Sequence, residues 1–189
     1  RVTLDPRKPG ATIGIIGGGQ LGRMMCMAAA ELGFRTVVLA PDADATAAQV
    51  CNRFICTAYD DIEGLRALEA ATDVITYEFE NIPADALDTI AARVLPPVNV
   101  LRISGDRLTE KTFIREQGLP VADFVDLDSL EALERGLDMF GGTGIVKTRR
   151  FGYDGKGQWR IDSDTNWQQS SAEMLAQPAI LERIIPFGR

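Results

Sequence analysis

Apolar positions fall into short runs separated by helical stripes. Residues 12–17 (TIGIIG) form a β-branched run ending in glycine, which predicts a buried strand. Leu21, Met25, Ala28 and Leu32 then recur at helical spacing, and Gly33 supplies a stop. A second run, 35–40 (RTVVLA), predicts a strand that ends at the turn Pro41-Asp42. The Ala-rich stretch from Ala43 to Val50 predicts a helix, and 53–58 (RFICTA) a third short strand. Asp60-Asp61 caps the following helix, in which Ile62, Leu65 and Leu68 mark the buried side. Residues 73–81 (DVITYEFEN) read as a fourth strand, and Pro83 suits the first position of another helix.

Strands alternating with helices in this way imply an α/β fold: a mostly parallel sheet covered on both faces, with ligands outside the carboxyl ends of its strands. In the usual strand order the first and fourth strands are neighbours, which sets residues 17–22 opposite Tyr77–Asn81. The rhythm breaks at Pro96-Pro97, so a boundary is expected between residues 1–104 and 105–189. Beyond it, residues 104–120 (SGDRLTEKTFIREQGLP) carry a helix closed by Gly118 and Pro120. A strand near 121–126, a helix near 128–139, a glycine-studded segment at 141–161, a polar helix near 164–175 and an apolar strand at 179–185 (AILERII) complete the pattern.

Composition narrows the chemistry. The net charge is −7, and no basic patch or stacked aromatic series appears, which argues against a nucleic-acid partner. The longest apolar runs are far too short to cross a membrane, and no signal peptide is expected ahead of the first strand. Cys26, Cys51 and Cys56 are scattered through aliphatic segments, so reduced thiols serving mostly as core filler are expected. Histidine is absent. That excludes a histidine general base and any His-ligated zinc within these residues, leaving carboxylates, Lys, Arg, Tyr and backbone amides.

Two glycine-rich loops stand out. Gly17-x-Gly19-x-x-Gly22 follows a strand and opens a helix, as in a dinucleotide fingerprint, and bare backbone amides at a helix N-terminus suit an anion. Asp42 lies twenty residues past Gly22 but follows Pro41 in a turn instead of ending the strand. Glu78 and Glu80 in YEFEN would repel a pyrophosphate, so one phosphate plus an amine or hydroxyl group suits this end of the sheet better. A tight turn that only packs helix on strand remains open too. The second loop, Gly152-Tyr153-Asp154-Gly155-Lys156-Gly157-Gln158, joins two strands with no helix behind it. It reads either as a flap closing amides and the Lys156 ammonium over phosphates or as a plain charged hairpin turn. Lys147 and Glu182 are charges set in apolar strands, and Arg107 begins a helix.

Five segments in order carry a specific resemblance: GGGQLGRM (17–24), TYEFENI (76–82), DRLTEK (106–111), VKTRRFGYDGKGQ (146–158) and ILERIIPF (180–187). Together they resemble the 5-(carboxyamino)imidazole ribonucleotide synthases, ATP-grasp enzymes of purine biosynthesis. The resemblance implies a Rossmann-like pre-ATP-grasp domain that binds no dinucleotide, followed by an incomplete α+β ATP-grasp domain. It implies carboxylation of aminoimidazole ribonucleotide with bicarbonate and ATP, through carboxyphosphate, in a cytoplasmic enzyme that is a homodimer at full length. By motif, Arg107 and Lys147 would contact ATP phosphates, and Gly152, Gly155, Gly157 and Gln158 would belong to the lid. Glu182 to Ile185 would form the adenine hinge. Gly19, Gln20, Leu21 and Glu78 would face the ribonucleotide. Tyr153, Asp154 and Lys156 at the lid tip would organise bicarbonate or the amine. Magnesium ligands are expected beyond Arg189, because the family continues well past this point, and the present chain reads as a fragment. A dinucleotide-binding oxidoreductase, a non-catalytic binding module, and two other ATP-grasp enzymes, the formate-using glycinamide ribonucleotide transformylase and biotin carboxylase, are the alternatives.

Overall fold

In the computed structural model, which describes residues 5–152 and 155–187, the chain divides after Arg102 into two units, each with its own sheet. In the first, β1 (Thr12–Ile16), β2 (Arg35–Ala40), β3 (Arg53–Cys56) and β4 (Val74–Tyr77) pair in the order β3-β2-β1-β4, all parallel. The two central strands are almost wholly buried, as their unbroken β-branched runs require. Strand alternation divides their side chains between two cores. Ile16, Val37 and Leu39 pack with Leu65 and Leu68 of α2 (Ile62–Ala71), while Ile15 and Val38 pack with Cys26 of α1 (Gln20–Glu31). Asp61 caps α2 by accepting from the Glu63 N–H at 3.1 Å. At the start of β1, the buried Asp73 carboxylate accepts the Thr12 N–H at 2.8 Å and fixes that strand against β4.

α1 departs from the expected pattern. Its sheet-facing side is the small-residue stripe Gly22, Cys26 and Ala29, whereas Leu21 and Leu32 point outward. The cause is close approach: a Cβ on Gly22 would lie 2.6 Å from the Gly17 carbonyl oxygen. The Ala-rich stretch after β2 makes only a short 3₁₀ turn, Thr46–Gln49. Pro83 caps α3 (Ala84–Leu87) instead of starting it, and a 3₁₀ turn, Asp88–Arg93, follows. Of the three free thiols, only Cys26 is fully buried, Cys51 is half-buried and Cys56 is exposed, so core filling applies to one of them.

α4 (Val98–Ser104) leads into the second unit. There α5 (Arg107–Glu116) ends at Gly118 with φ +76°. β5 (Phe124–Leu127), α6 (Leu130–Met139), β6 (Gly144–Thr148), β7 (Gln158–Ile161), α7 (Trp167–Met174) and β8 (Ala179–Glu182) follow. The sheet is antiparallel, in the order β5-β8-β6-β7. Alternation again assigns the two faces. Val146, Ile161 and Leu181 join Leu127, Leu133, Leu137 and Met174 in the core under α6 and α7. The opposite face carries Lys147, Glu182, Phe124 and Gln158, which the register sets side by side.

Candidate functional site

Each unit concentrates polar chemistry in one place. In the first, β1 ends in Gly17, whose φ of +124° suits glycine and whose N–H donates to the Leu39 carbonyl at 3.0 Å. β1 and β4 are neighbours, so residues 17–22 do lie against Glu78. The Glu78 carboxylate accepts the Gly19 N–H at 3.1 Å, and its own N–H donates to the Ile16 carbonyl. A Cβ on Gly17 would sit 2.5 Å from both Glu78 Cγ and Oε1, so the turn is bare because this side chain lies in it. Gly19 offers α1 no side-chain cap, and Glu78 supplies the negative charge that the positive helix end favours. A second anion at that spot would meet a carboxylate already in place.

Beside this turn, Gly18, Gly19, Gln20, Pro41, Thr46 and Tyr59 line a shallow depression of about 310 Å³. Gln20 and Leu21 are both exposed in the first turn of α1, Leu21 at 58%. Asp42 accepts the Asp44 N–H at 2.9 Å, closing its own turn. Burial pushes the Tyr59 phenol up, and the Glu78 charge adds to that. The hydroxyl of Tyr77 is buried and makes no hydrogen bond among the described residues.

In the second unit, the sheet face opposite α6 and α7 brings several predicted residues together. Lys147 on β6 and Glu182 on β8 are diagonal neighbours, and Lys147 Nζ donates to Glu182 Oε2 at 2.5 Å. Glu182 is an acid in an apolar strand that meets a specific donor. A second cation reaches the same carboxylate, Lys111 Nζ, 3.2 Å from Oε1. Lys111 was not singled out in the sequence, yet Arg107, Lys111 and Arg115 follow one another at four-residue spacing, which places them on one face of α5. Lys111 and Arg115 both lie over the Phe124 ring, 5.6 and 4.1 Å from its centroid.

The start of α5 is fixed by Asp106. Its buried carboxylate caps the helix through the Leu108 and Thr109 N–H groups and receives Arg149 Nε at 3.0 Å and Nη2 at 2.9 Å. Burial alone would raise the Asp106 carboxyl, but the Arg149 hydrogen bonds and the capping amides hold it below the ordinary range. The Arg149 carbonyl in turn accepts the Arg107 N–H at 2.9 Å, and Arg107 Nε donates to the Thr148 carbonyl at 3.3 Å. Arg107 is therefore half-buried and anchored at the root of the β6–β7 hairpin.

The hairpin loop closes through Thr148 N–H to the Gly157 carbonyl at 2.9 Å. Gly157 has φ +66°, and a Cβ there would lie 2.5 Å from Thr148 Oγ1. Gly152 faces the Arg107 guanidinium, since a Cβ there would lie 3.5 Å from Nη2, whereas Gly155 meets open space. Lys156 and Gln158 are exposed, as is Ile185 at 47%. Tyr153 and Asp154 lie outside the described residues. Arg107, Lys147, Glu182 and the loop glycines thus form one cationic face with a glycine-rich hairpin beside it. The residues of the first unit gather around the Glu78 carboxylate, an acidic setting.

Residues 10–105 match the family model described as the ribonucleotide synthetase preATP-grasp domain. The chain belongs to this family. Residues 112–189 match the ATP-grasp domain, so the preATP-grasp unit is followed by sequence of that second type. Among curated relatives, N5-carboxyaminoimidazole ribonucleotide synthase of Brucella melitensis is 53% identical over 96% of this chain and 51% of its own length. The Staphylococcus saprophyticus synthase is 40% identical over the whole of this chain and 51% of its own. The chain therefore spans about half the length of the curated relatives it matches. Its fold is similar to that of N5-carboxyaminoimidazole synthetase from Staphylococcus aureus complexed with ADP, at TM-score 0.92 and 36% identity, covering 98% of this chain and 50% of that one. It also resembles the Aspergillus clavatus synthase complexed with ATP, at TM-score 0.85 and 26% identity, covering 94% of this chain and 48% of that one.

Proposed function

We propose that this preATP-grasp chain is part of an enzyme that carboxylates 5-aminoimidazole ribonucleotide with bicarbonate, converting ATP to ADP and phosphate in purine biosynthesis. The observation that carries the reading is the cationic face of the second unit. Lys147 and Arg107 stand beside a glycine-rich hairpin, on the side of the sheet that α6 and α7 leave free. Phosphoryl transfer is chiefly positioning and charge neutralisation, which lysine, arginine and backbone amides supply without histidine.

In this reading Arg107 and Lys147 bind the nucleotide phosphates. Gly152, Gly155, Gly157 and Gln158 close over them, and Glu182 to Ile185 present backbone groups to the adenine. A bicarbonate oxygen attacks the γ-phosphorus and ADP leaves; carboxyphosphate then breaks into CO₂ and phosphate. The exocyclic amine of the ribonucleotide forms the new N–C bond and loses a proton. Tyr153, Asp154 and Lys156 are assigned to organise bicarbonate or the amine during this transfer. Gly19, Gln20, Leu21 and Glu78 are assigned to the ribonucleotide. A carboxylate at the glycine turn suits hydroxyl and amine donors and opposes a dinucleotide pyrophosphate, which disfavours the oxidoreductase reading. Magnesium supplies charge neutralisation at phosphate oxygens when bound. The described residues hold no cluster of three or more His, Cys, Asp or Glu side chains fit for it, so its ligands are assigned to the half that the relatives have in addition, as is the contact that makes a homodimer.

The test is phosphate release by the protein at its relatives' full length. Release should require both aminoimidazole ribonucleotide and bicarbonate, with one phosphate per carbamate formed. Release that is indifferent to either substrate would overturn the assignment.

A further inference from the structure

Three charges meet at Glu182: its own carboxylate and the ammonium groups of Lys147 and Lys111. The Glu182 side chain is 8% exposed and lies between Lys147, 18% exposed, and Lys111, 15% exposed. Lys147 makes a hydrogen bond to Oε2, whereas Oε1 faces Lys111 as an ion pair and accepts no hydrogen bond among the described residues. One carboxylate between two ammonium groups leaves the cluster with a formal charge of +1. The Phe124 ring beneath Lys111 is held opposite Glu182 by the β5–β8 register, so strand pairing and α5 together fix where this second ammonium stands.

We propose that Lys111 is a positioning residue for Lys147. By engaging Oε1, it stops the carboxylate from closing on Lys147 with both oxygens and keeps a net positive charge on the cluster. Lys147 then remains available to a phosphate. Without Lys111, Glu182 and Lys147 form a self-neutralising pair in a largely buried setting, whose pull on an anion falls to that of a dipole. The proposal rests on the nucleotide-binding reading of this face and adds a residue to it that acts through another.

The experiment is ADP calorimetry on the protein at its relatives' full length, with Lys111→Met, Lys111→Arg, Glu182→Gln and the Lys111→Met/Glu182→Gln double variant. Lys111→Met should weaken ADP binding about tenfold, as expected for loss of one charge-assisted interaction. Lys111→Arg, which keeps the charge, should restore most of it. In the Glu182→Gln background, where there is no carboxylate to hold away from Lys147, Lys111→Met should cost little further. Additive losses would overturn the proposal, because Lys111 would then contact the nucleotide by itself. Equal binding by Lys111→Met and the unaltered protein would also overturn it. Tryptophan fluorescence checks folding, and Lys111→Gln carries the same expectation if the Met variant does not fold. Failure of the unaltered protein to bind ADP would instead strike the nucleotide reading, so the two failures are distinct.

Discussion

The Asp106–Arg149 pair gives the sharpest stability prediction, because one buried carboxylate both caps α5 and holds the root of the hairpin. Asp106→Asn keeps a capping oxygen for the Leu108 and Thr109 N–H groups but turns an NH₂ toward the guanidinium. The loss is that of a hydrogen bond between charged groups, about 1.5–3 kcal/mol, and the 25% exposure of Arg149 favours the lower half of that range. Asp106→Ala also removes the cap, which adds about 1 kcal/mol. The second contact of Arg149, to the half-exposed Asp126 at 3.5 Å, contributes little. Both tryptophans of the chain, Trp159 and Trp167, lie in the second unit, so urea unfolding followed by their fluorescence reports that unit alone. With a slope of about 1–2 kcal/mol per molar urea, a loss of about 2 kcal/mol lowers the midpoint by about 1–2 M. A double-mutant cycle of Asp106→Asn with Arg149→Met should return a coupling of about 2 kcal/mol. Additivity within about 0.5 kcal/mol would refute the reasoning, since the two side chains would then not act as a pair.

The same carboxylate predicts a pH dependence. Its folded pKa is depressed, so its stabilisation is present above the unfolded value near about 4 and is lost as pH falls through the folded value. The urea midpoints of the unaltered protein and Asp106→Asn should therefore converge below about pH 4, and a constant gap would contradict this. Lys147→Met should weaken ADP binding by about 1.5–3 kcal/mol, roughly 10- to 150-fold, in calorimetry; unchanged affinity would remove Lys147 from the phosphate site. Gly22→Ala should cost about 1–3 kcal/mol in thermal unfolding, because its new carbon meets the Gly17 carbonyl. Gly19→Ala meets only Glu78 Oε1 at 3.4 Å and should stay within about 1 kcal/mol, so equal losses would argue against close helix–strand packing as the cause.

Strand periodicity carried most of the architecture. The runs TIGII and RTVVLA are legible because both faces of a central parallel strand are buried, and the pairing of β1 with β4 follows from usual strand order. Helix faces were harder. Leu21, Met25, Ala28 and Leu32 make an apolar stripe, but the Gly17 turn brings α1 so near β1 that Gly22, Cys26 and Ala29 are the residues buried beneath it, with Met25 only partly buried at the edge. At the candidate site, spacing showed charges in strands but not their partners. The pairing of Lys147 with Glu182 depends on β6–β8 register, which a single strand's sequence does not encode. Lys111 was legible in principle, as the middle of a cationic series at four-residue steps on a predicted helix. Glu78 was seen as a repulsive neighbour of the glycine turn; its role as the acceptor for Gly19 N–H needed the geometry of both strand ends.

In the proposed reading, the nucleotide binds on the antiparallel sheet of the second unit and not at the Gly17–Gly22 turn. Amide chemical-shift mapping by NMR during an ADP titration tests it most directly. The shifts should gather at Lys147, Gly155 to Gln158 and Glu182 to Ile185. Shifts gathered at Gly17 to Gly22, with the second unit silent, would contradict it.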